Sequence, residues 1–85
     1  MRFTVVYLPS AERQLAALWL SAADQSAVTR ASDTIDRLLT STPLIVGESR
    51  VSNLRILFEE PLAVLYDVRE ADHLVKVWAV WQWKA

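Results

Sequence analysis

Arg50, Arg55 and Arg69 are the residues of this chain best suited to chemistry. Their guanidinium groups could hold a phosphate by charge-assisted hydrogen bonds. Arg50 follows the only glycine, Gly47. Arg55 and Arg69 share one side of an alternating apolar pattern. The same three could equally pair with Glu48, Asp67 or acidic side chains of a partner. His73 is the only histidine and titrates nearest neutral pH, but it stands beside Asp72 in a turn-like stretch, which reads as a solvated residue. Tyr66 falls on the apolar side of its segment and reads as packing. Lys76 is expected to pair with Asp67. Trp78, Trp81 and Trp83 could stack on bases. Trp78 fits better as a protein hot spot, since tryptophan dominates such sites; Trp81 is expected in the core and Trp83 at the exposed end. Neither a glycine-rich phosphate loop nor a cluster with metal-ligand spacing appears, so no cofactor and no metal are expected.

Composition narrows the classes. Nine Lys and Arg against ten Asp and Glu give a net charge of −1. Neither half is basic: residues 1–42 hold four basic and four acidic residues, residues 43–85 five and six. Nucleic-acid binders draw most of their non-specific affinity from a cationic footprint, so this balance counts against a free-standing DNA or RNA binder. At 85 residues, 53% hydrophobic, with one Gly and three Pro, the chain is one domain, 1–85, and too apolar for disorder. It has no cysteine, which excludes disulfides and thiolate chemistry and fits a reducing compartment. No apolar run reaches about 18 residues, so no membrane span is expected. The opening residues read as a strand rather than as a signal peptide.

The elements that must position these residues follow from periodicity. Residues 3–8 alternate with apolar groups on both sides, which predicts a short interior strand. Pro9 then suits the first turn of a helix. Ala11, Leu15, Leu18, Trp19 and Ala22 recur at helical spacing, with Trp19 expected to seal that helix to the sheet. Ser21 to Asp24 reads as a restart. A second helix runs to about Thr40 with the stripe Ala27, Val28, Ala31, Ile35, Leu38 and Leu39. Residues 41–50 are irregular, punctuated by Pro43 and Gly47. Three strands follow over 51–58, 62–69 and 74–83. The fold class is therefore α+β in the order β-α-α-β-β-β: a helical hairpin on one face of a small, mostly antiparallel four-stranded sheet.

Pairing Phe58 with Leu62 and Arg69 with Leu74 fixes the expected faces. Leu54, Ile56, Phe58, Val64, Tyr66, Val68, Val75 and Val77 form the core side. Arg55, Leu57, Leu65, Asp67, Lys76, Trp78 and Val80 form the other. A chain this small lacks material to cover both faces, and an uncovered apolar patch marks a partner site. Leu57, Leu65, Lys76, Trp78 and Val80 are the expected partner-binding residues.

The order and its motifs resemble the RelE/ParE superfamily of type II toxin–antitoxin toxins. The likeness is carried by the strand ending Tyr7-Leu8-Pro9-Ser10-Ala11, the two helices, Pro43…Gly47-Glu48-Ser49-Arg50, the block from Arg55 to Val68, and the last strand Leu74 to Val80. The resemblance implies a cytoplasmic, growth-inhibiting toxin of the plasmid-stabilising kind. A cognate antitoxin laying an extended or helical segment over it would neutralise it, and a homodimer or a heterotetramer with the antitoxin is conceivable. The superfamily divides by mechanism. RelE-like members cut mRNA, usually on the ribosome, turning a 2′-hydroxyl onto the adjacent phosphate without a metal. That reaction needs a base, cations around the phosphorane and a proton donor. ParE-like members poison DNA gyrase. Where the ribonucleases carry an arginine on the third strand this chain has Ala63, and its last strand ends Trp81-Gln82-Trp83 where another would lie. The implied reading is therefore ParE-like, directed at a protein target such as gyrase. The alternatives are an mRNA endoribonuclease using Arg50, Arg55 and Arg69 as catalytic residues, which leaves open whether the chain is an enzyme, and an inactive interaction module of the same fold.

Overall fold

Pro9 ends the first strand and opens the first helix, because its fixed φ suits an initial turn and its missing N–H costs nothing there. In the computed structural model, which describes residues 2–84, β1 (Thr4–Tyr7) leads into α1 (Pro9–Ser21) and α2 (Gln25–Ser41). Asp24 caps α2, its carboxylate accepting from the Ala27 N–H at 3.1 Å. Then follow β2 (Glu48–Ser49), β3 (Leu54–Glu59), β4 (Leu62–Arg69), one 3-10 turn over Glu70–Asp72, and β5 (Leu74–Gln82).

The strands form one five-stranded mixed sheet in the order β1-β5-β4-β3-β2. The expected four-strand sheet gains β2, two residues paired antiparallel with β3 inside the stretch read as irregular. β1 is an edge strand parallel to β5, not an interior one, and Val6 is exposed. Beyond the end of β1, Gln14 Oε1 accepts from the Val80 N–H at 2.8 Å and fills the vacated edge of β5.

Both helices lie on one face of the sheet. Ala11 from α1 and Val28, Ala31, Ile35 and Leu39 from α2 are buried against Leu57, Leu62, Val64, Tyr66, Val75, Val77 and Val80. The α2 stripe is the one its periodicity predicts. Trp19 departs from its expected place: it faces α2, its indole N–H donating to Thr29 Oγ1 at 3.1 Å, and stays exposed.

Two register features rearrange the faces. The β3–β4 turn holds two residues, Glu60 and Pro61, so Glu59 pairs with Leu62 and Phe58 with Ala63. Pairing Phe58 with Leu62 would need one more turn residue, and a one-residue slip moves every side chain of a strand to the opposite face. Arg55 and Leu57 therefore point to the helices. Leu54, Ile56 and Phe58 point away. In β5, Arg69–Leu74, Asp67–Lys76 and Tyr66–Val77 pair as expected, but a bulge follows and Leu65 meets Ala79 rather than Trp78. Val80 thereby turns inward, and Trp81, expected in the core, pairs with Ala63 on the uncovered face.

Ile35 sits at the centre of the helix–sheet contact and is 1% exposed. Ile35→Ala is expected to cost about 2–5 kcal/mol in urea unfolding, against about 0.5 kcal/mol or less for Leu20→Ala on the exposed side of α1.

Candidate functional site

The face left bare by the helices is built from alternate residues of three strands: Leu54, Ile56 and Phe58 of β3, Ala63, Leu65, Asp67 and Arg69 of β4, and Lys76, Trp78 and Trp81 of β5. Most of these side chains are half-buried by one another. Phe58 packs on Trp83 with ring centroids 4.7 Å apart, and Lys84 Nζ lies 4.8 Å from the centre of the Trp83 ring. Ala63 is fully buried between Phe58 and Trp81, its neighbours across the two ladders. The centre of the face is apolar and aromatic; Arg69 and Lys76 stand toward one end, and Lys84 lies over Trp83 at the other.

Of the five expected partner-binding residues, Leu65, Lys76 and Trp78 lie on this face. Leu57 and Val80 do not: they are 7% and 3% exposed beneath the helices, for the register reasons given above. Leu54, Ile56, Phe58 and Trp81 lie on the face instead.

The three arginines are not brought together. Arg50, in the β2–β3 turn, pairs with Glu48 at 3.2 Å. Arg55 is turned toward the helix side, where its guanidinium donates to the Val46 carbonyl at 3.2 Å and the Gly47 carbonyl at 3.1 Å. Arg69 lies at the end of β4, its Nε 3.6 Å from Asp67 Oδ1. A phosphate-gripping cluster of these three therefore does not form. His73 is exposed at the end of the 3-10 turn with a left-handed φ of 48° and meets only the edge of Phe3 among aromatic rings.

Arg55 and Tyr66 together latch the 43–47 loop onto the sheet. The buried Tyr66 hydroxyl lies 2.9 Å from the carbonyl oxygens of Pro43 and Val46 and can donate to either. Burial raises the pKa of this phenol, and the nearby Arg55 guanidinium opposes the shift. Gly47 closes the latch at φ +76°; a Cβ there would sit 2.7 Å from Tyr66 Oη and 2.9 Å from the Ile56 carbonyl oxygen. The loop so held displays Leu44 and Ile45 to solvent, and Val51 stands exposed in the next turn.

Asp67 lies on the expected face, but its burial and its bond to Trp78 are features that alternation did not reveal. It is the one buried charged residue among those described, 7% exposed. Its Oδ2 accepts from the Trp78 indole N–H at 2.6 Å, while Oδ1 has no hydrogen-bond partner. The carboxylate's ion pair is with Arg69, one of the pairings expected for the arginines, and not with Lys76.

A second concavity lies along the free edge of β1. It is a groove of about 860 Å³ whose walls include Tyr7, Leu15, Trp19, Val28 and Ser32. The Tyr7 hydroxyl donates to Asp36 Oδ1 at 2.8 Å. Burial and then the Asp36 carboxylate raise its pKa far above the ordinary phenol value. No group of three or more His, Cys, Asp or Glu among the described residues could hold a metal ion, and no described helix is long and apolar enough to cross a membrane.

Two outcomes test these contacts. Gly47→Ala, which forces a side chain into the latch at a left-handed φ, is expected to lower the unfolding free energy by roughly 2–4 kcal/mol in urea titrations. The Tyr7 contribution has a pH signature. Its raised folded pKa means that its stabilisation is whole below about pH 10 and falls as pH rises beyond it, because the unfolded chain then loses the proton first. Tyr7→Phe should reduce the alkaline slope by the Tyr7 share, leaving that of Tyr66.

No protein-family model matches the sequence, and no curated protein matches it. Solved structures do. Over 96% of this chain and 92% of the other, it superposes on a chain of the toxin–antitoxin complex RelBE2 from Mycobacterium tuberculosis with a TM-score of 0.80 and 19% identity. For a chain of the chromosomal ParDE toxin–antitoxin system of P. aeruginosa the TM-score is 0.72 at 14% identity, over 98% of both chains. For the isolated E. coli RelE toxin it is 0.66 at 14% identity, over 98% of this chain and 86% of that one. At these identities the likeness is one of architecture: the helical hairpin on a five-stranded mixed sheet is the fold of the RelE/ParE toxin structures.

Proposed function

We infer that this chain is the toxin of a type II toxin–antitoxin module, cytoplasmic, neutralised by a cognate antitoxin, and that it inhibits growth by binding a protein target, as ParE-like toxins bind gyrase. The fold supports the toxin reading. The observation that carries the choice of mechanism is the makeup of the uncovered sheet face. Phosphoryl transfer to a 2′-hydroxyl needs cations converging on the phosphorane. This face offers Leu54, Ile56, Phe58, Ala63, Leu65 and Trp81 at its centre. Arg55, which a ribonuclease would need on it, spends its donors on the Val46 and Gly47 carbonyls on the opposite side. A half-buried aromatic surface with few charges is what the core of a protein interface looks like. A mRNA endoribonuclease of the RelE kind is the competing reading, and an inactive module of this fold the third.

Induced expression separates them. The expected result is growth arrest with an induced DNA-damage response and intact transcripts, relieved by Leu65→Asp or Phe58→Asp in protein that keeps its circular dichroism. New 5′ ends in mRNA by primer extension would establish the ribonuclease instead. Normal growth with abundant folded protein would establish the inactive module.

A further inference from the structure

We propose that the pocket around Asp67 and Trp78 is a socket for one basic side chain, Lys or Arg, of the protein that docks on the open sheet face. This rests on the reading of that face given above and adds the chemistry of the partner residue. The Asp67 side chain is nine-tenths buried, yet its Oδ1 receives no hydrogen bond. Arg69 Nε, at 3.6 Å, supplies charge without a bond, and its side chain is 54% exposed, free to swing aside. The bulge in β5 places Trp78 beside the carboxylate, and the bond to Oδ2 pins the indole by its N–H edge. The rest of the indole stays in reach of solvent, 42% exposed. The pocket encloses about 480 Å³, with Leu54, Ser52 and Asn53 completing its wall.

Each of these features asks for the same visitor. A cationic head supplies the donor that Oδ1 lacks and brings its charge closer than the 3.6 Å of Arg69. Its passage across the Trp78 ring is attractive through the ring quadrupole. Its methylene stem has Leu54 to lie against. A neutral donor gains nothing from the ring, and an acidic group meets the Asp67 carboxylate. A nucleic-acid strand could stack on Trp78, but its phosphates would find only Arg69 and Lys76 near that ring, with Lys84 at the far end of the face, and Arg69 must leave to free Oδ1. Arg69 is thus the placeholder that keeps the buried carboxylate compensated until the partner arrives.

The test uses the full chain, ¹⁵N-labelled, with the Trp78 indole resonance assigned through Trp78→Phe. Methylguanidinium and n-butylammonium chloride are titrated in, with N-methylurea as the neutral control and sodium chloride matching ionic strength. The expected result is a saturable shift of that resonance with both cations and none with the urea. Asp67→Asn should abolish it, and Arg69→Ala should tighten it several-fold. Linear or absent shifts, an equal response to N-methylurea, or a response surviving in Asp67→Asn would overturn the proposal. If Asp67→Asn does not fold, unchanged affinity in Arg69→Ala does so alone. A short oligonucleotide shifting the resonance where the cations do not would also overturn it. Failure of the socket alongside growth arrest that Leu65→Asp relieves leaves the docking face standing; arrest that survives Leu65→Asp removes the reading of the face itself.

Discussion

The two-residue turn at Glu60 and Pro61 decides what this small sheet shows to its surroundings. Because Glu59 pairs with Leu62, Leu57 falls over Val64 beneath the helices, and Leu54, Ile56 and Phe58 fall on the side that no helix reaches. The same register carries Arg55 to the helix side, where its half-buried guanidinium is met by the Val46 and Gly47 carbonyls. The loop latch and the apolar open face are thus two consequences of one pairing. The β5 bulge completes the arrangement by sending Val80 inward while leaving Trp78 beside Asp67.

Much of this architecture is legible in the sequence because each helix has only one apolar stripe. Val28, Ala31, Ile35 and Leu39 recur at helical spacing and are all buried. The element order and the end of the β4–β5 ladder follow from alternation in the same way. The β3 parity does not, and the reason is chemical. Leu54-Arg55-Ile56-Leu57-Phe58 has apolar side chains on both faces, so hydrophobic alternation carries little information about register. Arg55 tips the balance toward the wrong face, since an arginine is assigned to solvent unless its buried acceptors are known, and those acceptors are backbone carbonyls eight and nine residues earlier. The bulge is hidden similarly: Val75 to Trp81 is apolar at nearly every position, and an inserted residue leaves no gap in the pattern.

These shifts strengthen the functional argument drawn from the open face rather than weakening it. Moving Arg55 off the face removes a cation from any phosphate site. Moving Ile56 and Phe58 onto it enlarges the apolar surface on which a partner could bury area. Arg50 is then taken up by Glu48 in its own turn and Arg69 by Asp67 on β4, in two separate ion pairs. What remains chemically unresolved on the face is one buried carboxylate oxygen next to a pinned tryptophan.

Which residues of β3 and β5 face outward is the point on which the rest turns, and the absence of native cysteine makes it directly measurable. Single variants Ile56→Cys, Phe58→Cys, Leu57→Cys and Val80→Cys can each be timed against a maleimide under native conditions. Rapid modification is expected at 56 and 58, with 57 and 80 protected until the protein unfolds. Fast labelling at 57 and 80 with protection at 56 and 58 would contradict it.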